Sequence, residues 1–148
     1  MSRKGTVTNA GKAAKVDKPL QEMADHKRVS AFVIGLENYR RDELPKVDFA
    51  HADADAFRDA LKKIFPPETL EVNVLKDAEA SLTAVKDELA YAIRNLEDDE
   101  LFIFYYAGHG FYGEGDNRLS VYDTNPTNIG DTTLNLQKDL LKRLEEHH

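Results

Sequence analysis

The stretch that decides the fold is LFIFYYAGHG, residues 101–110. Seven apolar or aromatic residues follow one another, and the run then stops at Gly108-His109-Gly110. An unbroken run of this kind predicts a strand that is buried on both faces, as in a parallel sheet. His109 then lies at the carboxyl end of that strand. The two flanking glycines allow the backbone to turn sharply there and other groups to approach closely.

Two more strands and two helices are predicted upstream. The apolar run 28–36 predicts a second doubly buried strand, and the alternating segment 70–75 predicts a short third one. Between them, 48–65 carries apolar residues at the spacing of one helix face, with Asp48 as the expected N-cap, and Ser81 is expected to cap a second helix. The order strand, helix, strand, helix, strand predicts a three-layer α/β fold, with a mostly parallel sheet between helices.

Beyond His109 the pattern weakens. Residues 111–117 are rich in turn formers, 118–123 predicts a short extra strand, and 134–148 predicts a helix with inward-facing leucines. Because such a helix is normally followed by another strand, we expect the domain, residues 28–148, to be truncated before its fourth strand.

Composition excludes several classes of function. The chain has 148 residues, enough for one domain, and a net charge of −7, which argues against nucleic-acid binding through phosphate contacts. No apolar run approaches the roughly 18 residues of a membrane span, and no secretory signal is evident. The chain contains no cysteine, which excludes disulfides, thiolate metal ligands and a cysteine nucleophile supplied by this chain. We therefore expect a cytoplasmic protein.

Charge is distributed unevenly along the chain. Residues 1–27 hold six basic and three acidic residues, a charge of +3, which leaves −10 for the remainder. This segment has no apolar period, so it is predicted to be a flexible basic tail. A weak electrostatic tether is the functional alternative.

His109 admits two interpretations. Chemistry in an open parallel sheet gathers beyond the carboxyl ends of the strands, and imidazole titrates near neutral pH, so His109 can act as a general base or acid. The structural alternative is a turn histidine that binds nearby backbone.

The order of elements and several short motifs resemble the caspase-like, Rossmann-like fold, most closely its metacaspase and paracaspase-like branch. The resemblance covers about residues 28–146. The motifs that carry it are Ile34-Gly35-Leu36-Glu37-Asn38-Tyr39 after the first strand, Ala50-His51-Ala52-Asp53-Ala54 at the first helix, LKDAEASLTAV (75–85), Tyr106-Ala107-Gly108-His109-Gly110 and Ser120-Val121-Tyr122-Asp123.

The resemblance implies a cysteine endopeptidase. In the family, the histidine in the position of His109 activates a cysteine at the end of the fourth strand, and the backbone amide in the position of Gly110 helps to bind the oxyanion. Metacaspases cleave after Arg or Lys, and Asp53 is the matching candidate for the acidic specificity pocket. The alternative for Asp53 is a solvated carboxylate that favours the helix dipole. Because this chain lacks the cysteine, we expect it to be inactive alone, with a protein or peptide as the family's substrate.

Other possibilities follow from the residues themselves. His51 and Asp55 are four residues apart on one helix, the spacing of two metal ligands, but a solvated helix face is the favoured interpretation, so no metal and no cofactor are expected. A non-catalytic pseudo-enzyme could use the fold for assembly. Without a fourth strand, the exposed edge of the third would invite a missing C-terminal segment or a second copy. An unrelated α/β small-molecule binder, with His109 contacting the ligand, is the third hypothesis.

Overall fold

The computed structural model describes residues 28–147, so the predicted tail, residues 1–27, lies outside the described part of the chain. The elements in chain order are β1 (Val29–Gly35), α1 (Ala50–Ile64), β2 (Leu70–Lys76), α2 (Leu82–Arg94), β3 (Leu101–Ala107), β4 (Gly110–Gly113), β5 (Asp116–Leu119), α3 (Ile129–Thr132), β6 (Leu134–Asn135) and α4 (Lys142–His147). Single 3₁₀ turns precede β2 (Pro67–Thr69) and α2 (Asp77–Ala80), and a π-helical turn (Leu136–Leu141) precedes α4.

The first three strands form a parallel sheet in the order β2-β1-β3. At its centre, Val33 of β1 lies opposite Val74 of β2 and Tyr105 of β3. Parallel neighbours require crossover connections, and α1 and α2 provide them. The predicted α/β fold with a parallel sheet is confirmed.

The alternation of side chains along β1 builds two separate cores, one on each face of the sheet. Phe32 and Ile34 are fully buried towards α2, whereas Val29 and Ala31 are buried towards α1. The helix residues that meet them are Val85, Leu89 and Ile93 on α2, and Leu61 and Phe65 on the α1 side. Burying each large apolar side chain contributes about 1.5–3 kcal/mol, so these two layers dominate the stability of the domain.

Helix α1 begins differently from the prediction. Its N-cap is Phe49, which adopts a left-handed conformation (φ 69°), and no side chain caps the helix. The expected cap by Asp48 is therefore wrong, because the chain turns one residue later. Gly35 lies against the start of α1, where an added Cβ would be 2.9 Å from the Cβ of Ala54. The cap of α2 is as predicted, since the Ser81 hydroxyl accepts from the amide of Ala84 at 3.2 Å.

After His109 the chain forms a small antiparallel sheet in the order β4-β5-β6. This corrects three expectations. The turn-rich segment 111–117 contains most of β4, and the strand predicted over 118–123 ends at Leu119. The helix predicted over 134–148 begins only after β6, because the Asn135 side chain caps its first turn by accepting from the amide of Lys138 at 2.9 Å.

Strand β3 lies at the edge of the parallel sheet, and each of its seven residues is partly exposed. Within residues 28–147 it pairs with β1 alone. No helix across the described residues is both long enough and apolar enough to cross a membrane.

Candidate active site

The carboxyl ends of β1, β2 and β3 meet at one edge of the parallel sheet. His109 follows β3, the connection 36–49 (the β1–α1 loop) follows β1, and Asp77 follows β2. The predicted position of His109 at this edge is therefore matched. An open parallel sheet places ligands at this edge.

The His109 imidazole is oriented by the β1–α1 loop. Its Nε2 atom lies 2.8 Å from the carbonyl oxygen of Pro45. A carbonyl only accepts hydrogen bonds, so Nε2 carries the proton and Nδ1 of the neutral ring keeps its lone pair. The ring also stacks on Tyr39, with 5.4 Å between centroids and 28° between planes. The arrangement leaves Nδ1 as the basic atom.

A chain of hydrogen bonds holds the backbone of His109. The amide of His109 donates to the Tyr39 hydroxyl at 3.0 Å, and that hydroxyl lies 2.6 Å from Oγ of Ser120. The Tyr106 hydroxyl donates to the carbonyls of Ser120 (2.8 Å) and His109 (3.0 Å), and it is 2.8 Å from Ser120 Oγ. Because carbonyls cannot donate, the direction is fixed: Tyr39 donates to Ser120, and Ser120 donates to Tyr106.

The last hydroxyl in this series of hydrogen bonds, that of Tyr106, must be protonated in order to donate. Burial is the main cause that raises the pKa of Tyr106 well above its ordinary value. The Tyr106 hydroxyl therefore stays a donor throughout the physiological range. The amide of Ser120 also donates to the His109 carbonyl at 2.9 Å, which completes the fixation of the residue on both sides.

The glycines around His109 have distinct roles. A Cβ on Gly108 would collide with the hydroxyl groups of Tyr106 and Tyr39, so any larger residue would require these hydroxyls to move. Gly110 pairs with Leu119 in the β4–β5 ladder. Because His109 is hydrogen-bonded in the neighbouring pair, the alternation of an antiparallel ladder directs the Gly110 amide away from β5.

Asp53 lies in the first turn of α1, at the same edge of the sheet. Its amide donates to the carbonyl of Phe49 at 2.8 Å, and the residue is exposed. Across the described residues, its carboxylate takes part in no hydrogen bond or ion pair. This carboxylate is available to a cation, but the geometry alone does not link it to His109.

His51 does not lie on a solvated helix face, which corrects the favoured interpretation. Its Nε2 is 2.9 Å from Oδ1 of Asp77, its Nδ1 is 3.8 Å from Oε1 of Glu37, and its amide donates to the same Glu37 oxygen at 3.1 Å. Asp55 instead pairs with Lys76 at 2.7 Å, and this hydrogen bond is the main cause that lowers the pKa of Asp55. Within residues 28–147, no group of three or more His, Cys, Asp or Glu side chains is arranged so that it could hold a metal ion.

The carboxylate of Asp77 collects four hydrogen bonds. Besides His51, its Oδ1 accepts from the amides of Glu37 (2.9 Å) and Asn38 (3.2 Å), and its Oδ2 accepts from the Asn38 side chain at 3.1 Å. Partial burial opposes ionisation of Asp77, but these bonds outweigh it, so its pKa lies below the ordinary value. Asp77 thereby joins the end of β2 to the start of the β1–α1 loop.

Sequence reasoning missed the roles of Pro45, Ser120 and Asp77. Tyr39 and Ser120 stood inside motifs that carried the family resemblance, but nothing in their spacing predicted that they touch His109. Pro45 acts through its backbone carbonyl, for which no residue type is diagnostic. Asp77 has a left-handed backbone (φ 44°), a conformation that Asp adopts more readily than most residues. Its residue type is therefore the one sign in the sequence that the backbone can turn there.

A cavity of about 700 Å³ lies away from this site, at the opposite edge of the sheet. It is lined by residues that precede β1 and β3, by residues of β1 and β2, and by the flank of α2, among them Arg28, Asn73, Tyr91 and Glu100. None of the residues around His109 contributes to it. The side chain of His109 lies outside this cavity and is partly exposed.

Comparison with protein families agrees with the resemblance described from the motifs. The model of the caspase domain of peptidase family C14 matches residues 28–146. The match includes all three parallel strands, both crossover helices and His109. The chain therefore belongs to the caspase domain family. A search of curated proteins found none that matches the chain.

Proposed function

We propose that this chain carries the histidine half of a caspase-like cysteine endopeptidase site of the metacaspase type. The observation that supports it best is the hydrogen bond from His109 Nε2 to the Pro45 carbonyl, 2.8 Å long. That bond selects the tautomer whose Nδ1 accepts a proton. An orienting acceptor on one nitrogen and a free lone pair on the other are what a general base needs.

The proposed chemistry uses a thiol from outside this sequence, because the chain has no cysteine. Nδ1 of His109 accepts the thiol proton, the sulfur attacks the scissile carbonyl, and the carbonyl oxygen becomes negative. The amide of Gly110, directed away from β5, is the proposed donor to that oxyanion. When the intermediate collapses, His109 returns the proton to the leaving amine.

Asp53 is the proposed contact for a basic residue before the scissile bond. Its exposed carboxylate has no partner within the described residues, and Arg or Lys would supply one. We expect the chain alone to be inactive, since removing the nucleophile of such a pair abolishes almost all covalent catalysis. The cytoplasmic location expected from the sequence remains a prediction.

The test measures hydrolysis of fluorogenic peptides with Arg, Lys or Asp before the scissile bond. We expect no turnover by the present chain. A longer product of the same coding sequence that supplies a cysteine should cleave after Arg and Lys but not after Asp. His109→Ala in that product should lower kcat by about 10³-fold or more.

The matched control is His147→Ala. His147 Nε2 is also 2.8 Å from a backbone carbonyl, that of Leu96, but it lies on α4, away from the sheet edge that carries His109. Activity that survives His109→Ala as fully as His147→Ala would contradict the catalytic assignment of His109.

A second candidate function is assembly through the edge of β3. The observation that favours it is the position of this apolar strand at the sheet edge, with all seven residues partly exposed. Edge strands of this kind accept an added strand from another segment or another copy.

Light scattering over a range of protein concentrations tests this candidate. Strand addition predicts a dimer at high concentration, with slower amide exchange along β3 and unchanged exchange along β2. A monomer at every concentration would exclude self-association through β3.

A further inference from the structure

We infer that Asp77 is a positioning residue for His109, acting through the β1–α1 loop. The inference deepens the proposed function and rests on it for its catalytic meaning. Asp77 touches neither His109 nor any proposed substrate position, and its four hydrogen bonds are directed at the loop and at α1.

The first step is the attachment of the loop. Asp77 accepts from the consecutive amides of Glu37 and Asn38 and from the Asn38 side chain. Three donors from two adjacent residues define both the position and the direction of the chain where it leaves β1. Bonds to an ionised carboxylate are about twice as strong as neutral ones, so this anchor holds the loop more firmly than neutral acceptors would.

The second step runs from the anchor to the imidazole. Tyr39 follows Asn38 directly, and its ring and hydroxyl contact the ring and amide of His109. Pro45 is held in the same loop by a neighbouring bond, from the amide of Val47 to the carbonyl of Glu37 at 2.9 Å. A displacement at Asn38 therefore reaches both contacts that orient His109.

The third step concerns the return contact to α1. His51 binds Asp77 through its ring and Glu37 through its amide, so the helix that follows the loop is tied to the same carboxylate. Lys46 adds an ion pair to Glu37 at 3.9 Å. Both ends of the loop thus converge on one acidic group at the end of β2.

The Asp77→Asn variant removes the charge and replaces one accepting oxygen by an NH2 donor, which cannot accept from the groups that bind Asp77. Asn tolerates the left-handed backbone (φ 44°) as well as Asp does, so the backbone itself is not strained by the change. The experiment uses the whole chain with ¹⁵N-labelled histidine. Long-range ¹H–¹⁵N spectra give the tautomer of His109, and hydrogen exchange gives the protection of its amide. We expect Nε2–H in the wild type. In Asp77→Asn we expect a mixture of tautomers and amide exchange about tenfold faster.

Two controls separate positioning from general loosening of the fold. His147, whose Nε2 also binds a backbone carbonyl, should keep its ring signals in Asp77→Asn. Asp59→Asn, which removes an exposed carboxylate of α1, should leave His109 unchanged. If His147 and His109 change together, the effect is global and the inference is overturned.

Each remaining outcome also either supports or overturns the inference about Asp77. Asp77→Asn that folds and leaves the His109 tautomer and exchange rate as in the wild type overturns the inference. If that variant does not fold, Asn38→Ala serves in its place, since it removes only the bond to Oδ2. Faster exchange at His109 supports the inference, and unchanged exchange overturns it. None of these readouts needs peptidase activity, so failure here leaves the proposed function standing, and a failed peptidase assay leaves this result standing.

Discussion

The ring of Tyr39 stacks on the imidazole of His109, while the Tyr39 hydroxyl accepts the amide proton of the same histidine at 3.0 Å. One residue thus holds both the side chain and the backbone of the proposed base. The Tyr39 hydroxyl also lies 2.6 Å from Oγ of Ser120, so Tyr39 joins the β1–α1 loop to the segment that follows β5.

The first prediction separates these two contacts with Tyr39→Phe. The stacked ring remains, but the amide of His109 and the hydroxyl of Ser120 each lose a partner in a partly buried setting. We expect the free energy of unfolding to fall by about 1–3 kcal/mol, measured by urea denaturation. Tyr112→Phe is the control, because Tyr112 is 75% exposed, and it should change stability by less than about 0.5 kcal/mol. Equal effects of the two variants would contradict the hydroxyl chain.

The second prediction concerns the space beneath His109. Gly108→Ala places a methyl group against the hydroxyls of Tyr106 and Tyr39, which are already hydrogen-bonded and cannot yield freely. We expect a loss of about 1–3 kcal/mol in the free energy of unfolding and a shift in the tyrosine absorbance. Gly110→Ala is the control, since its added methyl meets nothing closer than the Arg118 carbonyl at 3.8 Å. A neutral Gly108→Ala would show that the network can move aside.

The third prediction is a dependence of stability on pH. The folded-state pKa of Asp77 is lowered, so its ionised form stabilises the fold above the unfolded pKa of about 4, and this contribution is lost as pH falls through the lowered folded pKa. Urea midpoints between pH 2 and 7 should therefore fall on the acid side. In Asp77→Asn that fall should be shallower. An acid limb that is identical in the two proteins would show that the hydrogen bonds to Asp77 contribute no net stability.

The fourth prediction is a gain in stability. Phe49 is 72% exposed and adopts φ 69°, a conformation that costs a bulky residue about 1 kcal/mol. Phe49→Asn should raise the free energy of unfolding by about 0.5–1 kcal/mol, because Asn tolerates this conformation and little burial is lost. Phe49→Leu keeps the backbone strain and should give no gain. A gain of the same size from both variants would mean that removing the aromatic ring, not the strain, is responsible.

Much of the fold followed from hydrophobic pattern. Runs such as 28–36 and 101–107 can bury their apolar residues only between two layers of helices, so the parallel sheet was predictable. The small sheet was not, because Gly110–Gly113 and Asp116–Leu119 carry turn-forming and polar residues whose pairing depends on tertiary contacts. The N-cap of α1 was missed by one residue, because nothing in the local sequence predicts a left-handed conformation at Phe49.

The candidate site was also only partly predictable from the sequence. His109 was predictable from its place at the end of a strand, and its role from resemblance. Its orientation was not, because Pro45 contributes a backbone oxygen 64 positions away along the chain. Asp77 was hidden for a similar reason, since two of its four hydrogen bonds come from backbone amides. Almost every residue type carries the same backbone amide and carbonyl groups, so a sequence pattern cannot reveal contacts to them.

The contacts of His109 to Pro45 and Tyr39 join parts of the sequence that lie far apart, and this suggests how the site could be inactivated. His109 is held by residues 64 and 70 positions earlier, on a surface loop that also includes the Arg41–Leu44 turn. A single proteolytic nick in that loop would leave both cores intact and the histidine in place, yet would free the carbonyl that selects its tautomer. The domain would stay folded while the imidazole of His109 lost its orientation. Cleavage of this loop by a protease would thus disorient the imidazole of His109 without altering the residue itself.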